Sequence, residues 1–286
     1  MAGKFALKVG SRSIPLVAAS DKINLQLVSE FKPLQNWAKN LAKEEATLHS
    51  ASNGVHAGAS SSPPSEDKPT IPVRVNKVEV KNVDYFGLRI GFVNLSVDAD
   101  LTESGKKPPG LVFMRGGAVA VLLIIRSKSP SGTVSEHVVL TKQPRLAIPS
   151  FEFPEIPAGM LDGSGDFAGK CADELKEECG ITLEHDKLID MTQLAYGSDW
   201  EGVYPSAGGC DEFLRLFVSC QDMEWNELQA LEGRLGGLRD IGESITLSLV
   251  ELKDAYKVAP DAKLLSALAL FHALKAEGKI EWSLPV

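Results

Sequence analysis

From Ile71 onward the chain alternates apolar and polar residues. VRVNKVEVKNV reads as one strand, and LRIGFVNLSVDADL, after the Asp84–Gly87 turn region, reads as a second. Two isolated strands bury little, so this small antiparallel sheet needs a surface to cover it. LVFMRGGAVAVLLIIRS (Leu111 to Ser127) follows. Its Ala118–Ile125 run is apolar on both faces, the mark of a central strand. HVVLTKQPR (His137 to Arg145), CDEFLRLFVSC (Cys210 to Cys220) and SITLSLVEL (Ser244 to Leu252) are further strands, and no internal repeat is visible. Asp261 to Glu277 is patterned as an amphipathic helix carrying Leu264, Leu265, Leu268, Phe271 and Leu274.

A second helix is predicted from about Asp166, an N-cap residue, to Cys179. Phe167, Cys171 and Leu175 share its apolar stripe and Gly180 supplies the stop. Glu174, Glu177 and Glu178 stand at i, i+3 and i+4, so their carboxylates lean towards one side of the last turn. Like charges at this spacing repel by about 0.2–0.5 kcal/mol per pair, and the helix macrodipole prefers cations at its C-terminus. Two readings stand at this point. One is a solvated acidic face eased by Lys170 and Lys176. The other is a divalent cation held by hard oxygen ligands, which removes both penalties.

The remaining composition narrows the choices. The 286 residues, 44% hydrophobic, suffice for one sizeable core or for a core with a small accessory domain. A net charge of −8 argues against broad nucleic-acid binding, which needs clustered Lys and Arg. No apolar run approaches the ~20 residues of a membrane span. The four cysteines (171, 179, 210 and 220) contain no CxxC pair, which indicates neither zinc nor a disulfide framework and fits a reducing compartment. Residues 1–46 read as an N-terminal extension containing a short helix near Phe31–Leu41. Thr47 to Pro69 turns to Ser, Gly, Ala and Pro, and 47–70 reads as a disordered linker. The chain lacks an acidic residue before Asp21, a faint organelle signal. The compartment expected is the cytoplasm, with a plastid as the alternative.

The segment around the acidic helix resembles the Nudix box, a glycine loop leading into a helix written R-E-hydrophobic-x-E-E-x-G-hydrophobic. Gly159, Glu174-Leu175, Glu177-Glu178 and Gly180-Ile181 match it without a gap; Gly165 replaces its loop glutamate and Asp173 its arginine. VFMRGGAVAVL, the Arg145 region, EIPAGML, YPSAGGCDEF and GGLRDIGESITLSLVEL are similar to the ADP-sugar pyrophosphatase group of that family. The resemblance implies an α/β/α sandwich with a mixed sheet over 111–286. It also implies that the small antiparallel sheet at 71–110 builds a homodimer.

The resemblance further implies metal-dependent cleavage of a pyrophosphate bond in a nucleoside-diphosphate sugar such as ADP-ribose or ADP-glucose, with Mg²⁺ or Mn²⁺. Glu174, Glu178 and the carbonyl of Ala158 would be metal ligands, and Glu177 a direct or outer one. Glu243, before the last strand, would act as a general base, and Glu155 would reach a metal-bound water or the substrate. Arg145 and Arg115 offer a fork suited to phosphate oxygens. Trp200, beside Tyr204, either stacks on a base or anchors its loop. The alternatives are a non-catalytic Nudix-like binding module or a hydrolase of another nucleotide. GSGDFAGKC imitates a phosphate-binding glycine loop, but Ser164 and Cys171 break that pattern at both ends.

Overall fold

The computed structural model describes residues 5–53, 72–161, 166–183, 185–237 and 244–282. Two compact units emerge. One runs to Gly116 and takes back Ser206–Glu212; the other holds Gly117–Pro205 and the chain from Phe213 onward.

In the first unit, β1 (Phe5–Val9) and β2 (Arg12–Ala18) form a hairpin ahead of α1 (Leu25–Glu30) and α2 (Lys32–Asn53). Then come β3 (Val73–Phe86), β4 (Arg89–Leu101) and β5 (Leu111–Met114), giving one sheet in the order β1-β2-β3-β4-β5. The small N-terminal sheet is therefore present, but its first two strands come from the segment expected to be a mere extension. Leu7, Val9, Ile14 and Leu16 join Val78, Val80, Val93 and Leu95 in one core, closed by Leu34 and Ala38 of α2. β2 meets β3 in parallel, whereas every other pairing in this sheet is antiparallel. Helix α2 continues to Asn53, so 47–53 is helical rather than linker; the rest of the expected linker lies outside the described residues.

The long apolar segment from Leu111 divides in two. β5 ends at Met114, and β6 (Ala118–Lys128) opens the second unit. Two glycines allow the break. Gly116 has φ +80, a conformation that favours glycine, and at Gly117 a β-carbon would lie 2.3 Å from the Phe213 ring. Arg115 and the glycine pair mark the break in the sequence, between the apolar residues that end at Met114 and those that begin at Ala118.

The second unit continues with β7 (Val134–Arg145), β8 (Ser150–Glu155), β9 (Ala158–Met160), α3 (Phe167–Cys179), β10 (Ile189–Asp190) and α4 (Met191–Tyr196). It ends with β11 (Leu214–Asp222), α5 (Trp225–Gln229), β12 (Leu235–Gly236), β13 (Ile245–Glu251), α6 (Ala255–Val258) and α7 (Ala262–Ala276). Its sheet runs β10-β11-β6-β7-β13-β12, with β8 on β7 and β9 on β6; only β11 and β6 are parallel among these strands. Strand β6 is buried on both faces, as its unbroken apolar run requires. Ala118, Ala120, Leu122 and Ile124 face the core formed with Leu264, Leu268, Phe271 and Leu274 of α7. Val119, Val121, Leu123 and Ile125 face Cys171, Leu175 and Cys179 of α3. The result is an α/β/α sandwich around a mixed sheet. Leu265 alone of the α7 residues named above stays exposed.

Candidate active site

Helix α3 begins at its expected cap: the Asp166 carboxylate accepts from the amide of Gly169 at 2.8 Å. It ends at Gly180, φ 62, in the left-handed conformation. Cys171, Leu175 and Cys179 anchor it on the sheet. Burial raises the Cys171 and Cys179 thiols, so they are packing residues rather than nucleophiles.

The glutamates divide instead of acting as one face. At 100° per residue, Glu174 and Glu178 lie only about 40° apart around the helix, with Glu177 turned further round. Glu178 is buried at 5% exposure, and its Oε2 accepts from the amide of Ala158 at 3.1 Å. The Glu174 carboxylate rests on Gly159, where a β-carbon would fall 1.8 Å from Oε1. Lys170 pairs with Glu174 at 2.7 Å. Glu177 is exposed; its own carbonyl accepts from the amide of Gly237 at 3.1 Å.

The register of β9 explains this seat. The amide of Val121 donates to the Pro157 carbonyl and that of Leu161 to the Gly117 carbonyl, so alternate residues of this strand bond β6. Ala158 falls between them, and its amide and carbonyl turn away from β6. The amide meets Glu178, and the carbonyl shares that edge. Two carboxylates and one carbonyl are hard oxygen donors, the set that Mg²⁺ takes with water and substrate phosphates in its other positions. Among the described residues, no three His, Cys, Asp or Glu side chains are grouped closely enough to hold an ion by themselves. The donors named above match such an ion in chemical type.

Glu155, expected to reach a metal-bound water or the substrate, sits in a network of ion pairs. It is 2% exposed, and Arg145 Nε donates to its Oε1 at 2.8 Å, with Nη2 at 2.5 Å from the same oxygen. Its Oε2 accepts from Lys263 Nζ at 2.8 Å. Both oxygens of this carboxylate therefore have a cationic partner. Lys263 also donates to Asp261 Oδ1 at 2.9 Å, and Asp261 caps α7 by accepting from the amides of Lys263 and Leu264. Burial opposes the charge on Lys263, but Asp261 and Glu155 outweigh it and leave its pKa raised. The sequence pattern gave no sign of Lys263, because its partner lies 108 positions away.

The other expected residues are placed as follows. Arg145 is half-exposed, with the Nη1 side of its fork lacking a partner among the described residues. Arg115 belongs to the first unit, where Nη1 pairs with Glu212 at 3.1 Å and the backbone amide donates to Asp211. Its Nε is buried without a hydrogen-bond partner among the described residues. Trp200 is exposed and packs edge-on against Tyr204, ring centroids 5.9 Å apart. Glu243 lies outside the described residues, as does Gly165.

The stems of the 238–243 segment are described, however. Gly236 pairs with Ile245, and a β-carbon on Gly236 would fall 1.8 Å from the Glu178 carbonyl. Arg234, a cation that the sequence reading overlooked, lies over Gly180, where a β-carbon would be 2.5 Å from Nη2. A guanidinium there favours the C-terminal end of α3, which Asp173, standing where the box has arginine, does not.

With the fold and the glutamate–strand seat in place, the chain belongs to the Nudix hydrolase family. It is 33% identical over 247 residues to Nudix hydrolase 14, chloroplastic, of Arabidopsis thaliana, a match spanning 86% of this chain and 72% of the relative. A crystal structure described as that of an ADP compounds hydrolase is 18% identical with a TM-score of 0.49, covering 75% of this chain and all of that one. No family model matches. Among the described residues, no helix is long and apolar enough to cross a membrane.

Proposed function

We propose that this Nudix hydrolase cleaves the pyrophosphate bond of ADP-sugars, ADP-ribose or ADP-glucose, to AMP and a sugar phosphate, with Mg²⁺ or Mn²⁺. The observation that carries the reading is the convergence of Glu174 and Glu178 on the Ala158–Gly159 edge. A divalent ion there would neutralise phosphate oxygens and lower the pKa of a bound water. Glu174, Glu178 and the Ala158 carbonyl would hold it, displacing Lys170 from Glu174. Glu177, exposed on the next face, would contact its water. Arg145 offers the Nη1 edge of its guanidinium to a phosphate oxygen, and Trp200 offers a ring face to the adenine. Glu243 is the proposed base, on a segment whose first stem bonds the Glu177 carbonyl through Gly237.

A homodimer through the first unit's sheet belongs to the same proposal. So does a plastid location, which the name of the Arabidopsis relative now favours over the cytoplasm. The test is AMP release from ADP-ribose and ADP-glucose, with Mg²⁺ and then with excess chelator. Turnover that chelator abolishes supports the reading. Binding of ADP-sugar without cleavage under any divalent ion would replace it with a non-catalytic nucleotide-binding module.

A further inference from the structure

We propose that Lys263 is a positioning residue for the reaction, acting through Glu155 to set Arg145 as the phosphate contact. The inference rests on the proposed pyrophosphatase activity and deepens it. Three observations carry it. Glu155 is buried and bridges two cations, with Arg145 on Oε1 and Lys263 on Oε2. Arg145 is the half-exposed member, with its Nη1 edge lacking a partner among the described residues, whereas the Lys263 side chain is only 16% exposed. Glu155 also lies three positions before Ala158, so the network fixes the entry to the metal-ligand strand. The amide of Ile156, between them, donates to Asp261 Oδ2 at 3.3 Å.

The charges show why Lys263 is needed. Glu155 and Asp261 together carry two negative charges, and Arg145 and Lys263 carry two positive ones. With Lys263 present, one oxygen of Glu155 is satisfied from beneath and Arg145 is held along the other. Its unused edge is then available to an anion. Without Lys263, the buried carboxylate has one cation to serve both oxygens. Arg145 is then drawn towards the vacated oxygen, and its outward edge turns with it.

The test uses the full chain and inorganic pyrophosphate as the probe, because that anion carries only the group Arg145 would hold. Dissociation constants are measured by calorimetry for the wild type, Lys263→Met, Lys263→Arg, Arg145→Met and the Lys263→Met/Arg145→Met double variant, with a thermal melt of each. The expected result is a roughly tenfold weakening in Lys263→Met, the lower end of what a supporting partner contributes. Most of the affinity returns in Lys263→Arg. Once Arg145 is Met, the Lys263→Met change adds little, because the two act as one unit.

With ADP-ribose as substrate, KM rises more than kcat falls. Unchanged pyrophosphate binding in Lys263→Met overturns the proposal, as do two losses that multiply, which is what a purely structural lysine gives. A wild type that fails to bind pyrophosphate overturns it together with the role of Arg145. A wild type that shows the full binding pattern but cleaves no ADP-sugar supports the positioning role and sinks only the substrate assignment.

Discussion

Two groups of charged side chains flank the Ala158 strand, and they are built on opposite principles. In the network of Glu155, Asp261, Arg145 and Lys263, carboxylates and cations match in number, and each carboxylate has its partners in place. On α3, Glu174, Glu177 and Glu178 fall within five residues of one another towards the C-terminal end, where mutual repulsion and the helix macrodipole oppose them. A balanced buried network holds a shape. The acidic set on α3 is the one to which the proposed function assigns a cation. The contrast sets the surroundings of Glu155 apart from those of Glu174 and Glu178.

The comparison can be broken by mutating each side in turn. The largest effect expected is on chemistry. Glu178→Gln should lower kcat for AMP release by about a thousandfold, roughly 4 kcal/mol, with no loss of thermal stability. A fold that collapses with this variant would instead place Glu178 in the structural group. Glu155→Gln should do the reverse. Removing one partner of a buried ion pair costs about 3–5 kcal/mol, visible as a lower denaturant midpoint, while kcat falls far less than in Glu178→Gln.

Gly159→Ala sharpens the contrast within one residue. Its β-carbon would occupy the Glu174 carboxylate position, and a flexible side-chain end can move aside. Activity should therefore fall about a hundredfold, equivalent to roughly 2.7 kcal/mol, with the melting temperature nearly unchanged. The smallest effect is expected from Glu177→Gln in the metal-free protein, where relief of repulsion raises stability by about 0.2–0.5 kcal/mol. Chemical denaturation in chelator checks it.

Much of this was legible in the sequence. The Asp166 cap, the Gly180 stop and the apolar stripe defined α3 because each is a local signal read within a few residues. Strand β6 announced its central place by being apolar on both faces. The hairpin Arg12–Ala18 with Phe5–Val9 was missed because its strands are short, and its β2–β3 pairing links Leu16 to Val78 across the chain. The break at Gly116–Gly117 was passed over although Arg115 and the glycine pair interrupt the apolar residues there.

For the site, the sequence by itself determined which chemistry is available. It placed Glu174 and Glu178 one turn apart and put Gly159 at the spacing the family motif requires. Helical periodicity is local, so residue spacing alone brings the two glutamates together. The tertiary structure decided what each group touches. It turned the Ala158 amide to Glu178, left Glu177 in solvent, and closed Arg145 and Lys263 over Glu155. Those outcomes depend on strand register and on contacts between residues up to 108 positions apart. No local pattern records such distances; only packing of the sheet against its helices sets them.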